Sequence, residues 1–162
     1  MERIHIGIIC GMGFLMVSLI ALDTAPAVAA DDIIKKRIEL MRKGILGNFR
    51  VIKNFAKSGE GSAADVEKAA KGIQAAAAKV LPLFPNGSGR PDYDDNTTRA
   101  LGKIWYDWPT FKKANSAMSK HASHVAIYAA QGNPEDVKKH FKLMGKEGCG
   151  GCHKLFRGAK VE

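Results

Sequence analysis

The chain is poor in cysteine. It has three, Cys10, Cys149 and Cys152, too few for a disulfide framework once the N-terminal segment is set aside. Strand-like alternation of apolar and polar residues is missing, and so is any internal repeat. No basic cluster is interleaved with aromatics, which argues against nucleic-acid binding. No general acid–base pair, nucleophile constellation or phosphate-cradling glycine loop stands out, so a turnover enzyme is not expected. What these gaps leave is a helical, non-enzymatic protein of 162 residues, the size of one domain.

Residues 1–30 read as a cleavable secretory signal peptide. Arg3 gives the positive start, Ile6 to Leu22 is nearly all apolar, and Pro26-Ala27-Val28-Ala29-Ala30 offers a small-residue cleavage site after Ala29 or Ala30. The apolar run of 17 residues is at the short end for a membrane span. The expected product is a periplasmic domain over residues 31–162 with no stable membrane association. Cleavage removes Glu2, Arg3 and Asp23, so the net charge rises from +9 to +10. A charge of this size suits acidic partners met by electrostatic steering, although dispersed lysines also simply solvate a surface.

One motif carries chemistry. Cys149-Gly150-Gly151-Cys152-His153 reads C-x-x-C-H, the attachment signature of c-type haem. Two thiols add across the haem vinyl groups, and the adjacent imidazole bonds the iron through a neutral ring nitrogen. On a helix these i, i+3 and i+4 positions share one face. Two other readings use the same residues. A redox dithiol would need a βαβ context, but the lead-in Val137 to Met144 is helical in pattern. Half of a zinc site would need a second Cys or His pair at ligand spacing.

Four amphipathic segments surround the motif. Ile34, Ile38, Met41, Ile45, Phe49, Ile52 and Phe55 recur at three- and four-residue steps and predict one long helix ending at Ser58-Gly59. Ser62 and Asp65 make a capping box for a second helix, which Pro82 stops. Leu81 to Arg99 is long for a bundle connection and is expected to cover something in its first half, which carries Phe84. Thr97 to Asp107 predicts a short helical turn, Pro109 the first residue of a third helix, and Gly132 its end. Asn133-Pro134-Glu135-Asp136 then opens the last helix. The expected fold is all-α, an antiparallel up-down-up-down four-helix bundle with covalently bound haem c.

The chain resembles the class II c-type cytochromes, cytochrome c' and its low-spin relatives. The residues that carry the resemblance are the C-terminal motif with Phe156-Arg157, Arg37-Ile38-Glu39-Leu40-Met41, Leu81 to Gly87, and Ile104 to Phe111. Only nine residues follow His153 and none is methionine, unlike class I cytochromes. The resemblance implies thioethers at Cys149 and Cys152 and His153 as proximal iron ligand. It implies Arg37 at a haem propionate, Arg157 beside the proximal face, and Phe84 and Trp105 in the haem environment. It puts Met41 at the distal position, as sixth ligand or as an apolar block. It also implies a homodimer through the first two helices.

Electron transfer through a His153/Met41 iron, with acidic redox partners, is the first functional expectation. The alternative is a five-coordinate iron that binds NO or CO behind Met41. A thiol oxidoreductase using Cys149 and Cys152 comes third. Met118 and Met144 read as core. His121 and His124 are i, i+3 on the third helix with no third ligand evident, and His140 lies far from the iron ligand. All three read as packing or solvated residues. Free-thiol titration of the purified protein separates the dithiol from the haem readings: two titratable thiols mean a redox pair, and none means thioethers.

Overall fold

The structure is a computed structural model that describes residues 27–161. Residues 1–26, with Cys10 and the apolar run of the expected signal peptide, lie outside the described residues. The described residues are mainly helical, and four antiparallel rods form the expected bundle.

The first rod runs through α1 (Ala27–Glu39), a widened π turn (Leu40–Gly47) and α2 (Asn48–Ser58). Ile34, Ile45 and Ile52 are buried, and Met41, Phe49 and Phe55 pack partly buried against the same core. Ile38 keeps the expected seam but is exposed by area, because it opens on a cavity together with Met41, Ile45 and Phe49. Gly59 ends the rod at φ 70°, its N–H donating to the Phe55 carbonyl at 2.9 Å. The second rod is α3 (Ala63–Ala77). The Ser62–Asp65 capping box forms in full. The helix gives way before Pro82, because a proline ring crowds the carbonyl four residues back, here that of Ala78. A single 3-10 turn (Leu81–Leu83) follows.

The long connection leads to α4 (Lys103–Tyr106), which is shorter than the expected turn and buries Ile104. The third rod, α5 (Trp108–Ala130), opens one residue before Pro109 and is capped by Asp107, which accepts from the Thr110 N–H at 3.4 Å. Gly132 at φ 66° turns the chain. Asn133 caps α6 (Pro134–Leu143), and the fourth rod continues through a second π turn (Met144–Cys149) into α7 (Gly150–Phe156). Central α5 packs against α3 on one side and the fourth rod on the other. Met118 and Met144 are buried, as expected.

Two glycines let the fourth rod close on α5. A Cβ at Gly148 would stand 2.6 Å from the Met118 Cβ and 2.7 Å from its Cα. At Gly151 it would meet the Ala114 Cβ at 3.1 Å. Glycine's helix penalty is therefore offset by close packing at these positions. Gly145, in contrast, faces open space. Gly148→Ala is expected to cost about 1–3 kcal/mol by overpacking, while Gly145→Ala gains roughly 0.5–1 kcal/mol from helix propensity. Urea titration of the haem-loaded variants, read by circular dichroism, checks both signs.

Candidate functional site

Between the first and fourth rods lies a cavity of about 830 Å3. Ile38, Met41, Ile45 and Phe49 line it from the first rod, and Cys149, Cys152 and His153 from the fourth. The i, i+3, i+4 spacing of the motif thus falls on the cavity face of one helix. Each wall also carries a π turn, a deviation frequent at functional sites.

The titrations of the motif fit attachment better than dithiol redox chemistry. Burial raises the thiol pKa of Cys149, and burial together with Cys149 pushes that of Cys152 up to about 11. Redox-active cysteines need the opposite shift. Around His153, burial first, then Arg157 and Arg99, lowers the imidazole pKa. The residue is exposed by area because it opens on the cavity. Its ring stays neutral to lower pH than a free imidazole, which leaves a lone pair for a metal.

Arg37 is nearly fully buried, which excludes an ordinary helix-surface charge. Its Nη1 donates to the Leu83 carbonyl at 3.4 Å and to Ser88 Oγ at 3.3 Å. Its Nη2 donates to the Ser88 carbonyl at 2.8 Å and Thr98 Oγ1 at 2.9 Å. The guanidinium also stacks over Phe84 at 4.4 Å. With these four N–H bonds made, only Nε–H remains for an anion. Arg37 therefore anchors the long connection, and it also lines the cavity, with its Nε–H left over as a donor for a propionate. Burial lowers its pKa to about 10.

Phe84 and Arg157 line the cavity, but Trp105 does not. The Trp105 indole N–H donates to the Phe84 carbonyl at 3.1 Å and its ring packs over Gly89, so it braces the wall from behind. The mouth holds cations that the sequence reading did not single out. Arg42, Arg99 and Lys160 join Arg157 there, while Asp95 is paired to Arg90 at 2.7 Å. The backbone sets this cluster: Gly158 N–H donates to the Arg99 carbonyl at 2.8 Å, and Leu101 N–H to that of Phe156 at 3.0 Å. One buried side-chain acceptor on the wall, Asn115 Oδ1, has no partner among the described residues.

The family profile described as Cytochrome C' matches residues 32–157. The chain belongs to the cytochrome c' family. Similar solved structures carry the same fold. A cytochrome c' with ligand-controlled dimer dissociation is 26% identical, at TM-score 0.68 over 80% of this chain and 97% of that one. Cytochrome c prime from Shewanella frigidimarina is 25% identical, at TM-score 0.68 over 83% and 98%. A ferrous variant from Alcaligenes xylosoxidans with bound NO is 19% identical, at TM-score 0.69 over 81% and 97%. No curated protein sequence matches. Like the family, this cytochrome c' binds one covalent haem c, and the cavity suits it. Its volume lies within the roughly 300–1,000 Å3 of cofactor sites, one wall offers two thiols and an imidazole, and the cationic mouth complements two propionates.

Sequence reasoning also missed a contact away from the cavity. His140 lies against both His121 and His124, so a third nitrogen donor is present after all. For the cavity itself, Arg37→Met is expected to leave the Ser88 carbonyl without a partner and the Thr98 hydroxyl with only the Ala100 N–H. It should cost at least about 2 kcal/mol. Hydrogen exchange should quicken over residues 83–98 while the centre of α5 keeps its protection.

Proposed function

We propose that this cytochrome c' is a periplasmic gas-binding protein in which Cys149 and Cys152 hold the haem, His153 is the proximal ligand and Met41 gates the opposite side. The observation that carries this reading is the apolar first-rod wall, Ile38, Met41, Ile45 and Phe49, set across the cavity from His153. When bound, the haem would supply a redox-active iron that can take a diatomic gas. Cys149 and Cys152 would hold it through thioethers. The neutral His153 ring presents a lone pair. Ile38, Met41, Ile45 and Phe49 offer neither counter-charge nor hydrogen-bond donor, although Arg37 and Arg42 line the cavity from the same rod, and this apolar stretch suits small neutral molecules such as NO or CO. Arg99, Arg157, Arg42 and Lys160 would hold its propionates at the mouth.

Electron transfer through Met41 ligation has less support. Relatives of the same fold include one solved with NO bound, and a thioether packed among apolar residues fits a steric gate. No helix among the described residues is long and apolar enough to cross a membrane, and the signal-like N-terminus supports export. A homodimer through the first two rods belongs to the same proposal. One relative is a dimer whose dissociation is ligand-controlled.

The visible spectrum of the haem-loaded protein tests the gate. Ferrous protein is expected to give a broad high-spin spectrum that sharpens with CO. Met41→Ala should speed CO association at least tenfold. Sharp α and β bands that ignore CO, and that Met41→Leu abolishes, would sink the gas reading and establish methionine ligation.

A further inference from the structure

The three histidines outside the haem cavity converge on one point. His121 and His124 stand one turn apart on α5, and His140 comes from α6. His140 Nδ1 lies 3.1 Å from His121 Nδ1 and 3.1 Å from His124 Nδ1, and all three donor atoms lie within 4.8 Å of one another. His121 and His140 are buried, and His124 is half-buried. None of the three lines the haem cavity.

We propose that His121, His124 and His140 bind a divalent d-block cation of the zinc or copper class, at a site separate from the haem. Hydrogen bonding alone does not satisfy this arrangement. A ring nitrogen has one in-plane position, filled by either a proton or a lone pair. His140 Nδ1 faces two nitrogens at hydrogen-bond distance and can make a full hydrogen bond with only one. Whichever tautomers are chosen, one contact is left with two lone pairs, two protons, a shared proton or a shared lone pair. A cation at the centre removes the conflict, because all three lone pairs then point at it.

The neighbouring carboxylate is placed for the same purpose. His121 Nε2 lies 3.2 Å from Glu147 Oε2. A carboxylate accepts, so Nε2 carries the proton and the neutral ring's lone pair is left on Nδ1, toward the cluster. That is the carboxylate–histidine–metal relay that orients metal-ligating imidazoles. On the other side the Tyr128 ring stacks on His140 at 5.3 Å and limits its rotation.

The distances suit such an ion. Nitrogens about 2.0–2.1 Å from a tetrahedral zinc stand about 3.3 Å apart, close to the two observed separations of 3.1 Å. The His121–His124 pair must close by up to about 1.5 Å to reach that spacing. Half-buried His124 is the ring free to swing. Three imidazoles also leave a fourth position open on the His124 side. Imidazole donors select zinc, copper and nickel over magnesium or calcium, and copper(II) binds at least as tightly as zinc.

Calorimetric titration of untagged, haem-loaded protein with zinc chloride tests the site. One zinc per chain is expected, with no change in the haem spectrum. Glu147→Gln should weaken binding about 10- to 100-fold, the usual effect of losing an orienting partner. His124→Ala should weaken it at least as much. X-ray absorption at the zinc edge of the unmutated complex should give three imidazole nitrogens at about 2.0 Å. No stoichiometric binding, fewer than three imidazoles at the zinc, or undiminished affinity in both variants would overturn the proposal.

Discussion

The position of the fourth rod against α5 governs the rest of the molecule. Gly148 lies so close to Met118 that any side chain there would overlap its backbone. The attachment motif begins at the next residue, so this approach fixes where its thiols and imidazole stand in the cavity. Moving the rod outward by the width of one methyl group would carry all three with it. Close packing costs glycine's conformational entropy, but it lets one short helix hold a fixed distance from the first-rod wall.

The opposite wall is held in another way. Arg37 is a buried cation whose named partners are neutral oxygens from three points of the long connection. The guanidinium acts as a hub that draws loop and helix together, and its charge stays uncompensated by any of them. The aromatic cluster of Phe84, Phe111 and Phe156 backs the same region, with ring centroids 4.8 and 5.5 Å apart. Charge complementarity for carboxylates is concentrated at the mouth, on residues that arrive from the connection and from the end of the chain.

Much of the bundle was legible in the sequence because its signals are local. Ser62 with Asp65, Gly59, Gly132 and Asn133 each mark a helix end through chemistry within one turn. The face of Cys149, Cys152 and His153 follows from spacing alone. Arg37's bonds to Ser88 and Thr98 were not legible, since those residues are more than fifty residues away and reach it through irregular backbone. Arg99 and Lys160 were hidden for the same reason. The π turns were invisible because apolar spacing does not record a one-residue slip. The histidine contact did leave a trace. His124 and His140 each stand eight residues from Gly132, and an antiparallel helical hairpin turning at that glycine brings equidistant positions level.

The π turn in the first rod ties function to chain length. A widened turn accommodates an additional residue and resets the phase of the helix on either side of it. Above it, Arg37 faces the long connection; below it, Phe49 meets Phe141 at 4.8 Å. Each residue added to or removed from an α-helix rotates the downstream turns by about 100°. Deleting one residue between 40 and 47 would let the widened turn close to an ordinary α-helical one and keep Arg37 and Phe49 on their faces. A deletion within α1 or α2 would instead turn the residues beyond it away from their partners. The widened turn is therefore where this rod can absorb a change of length, and the regular helices on either side of it are where it cannot.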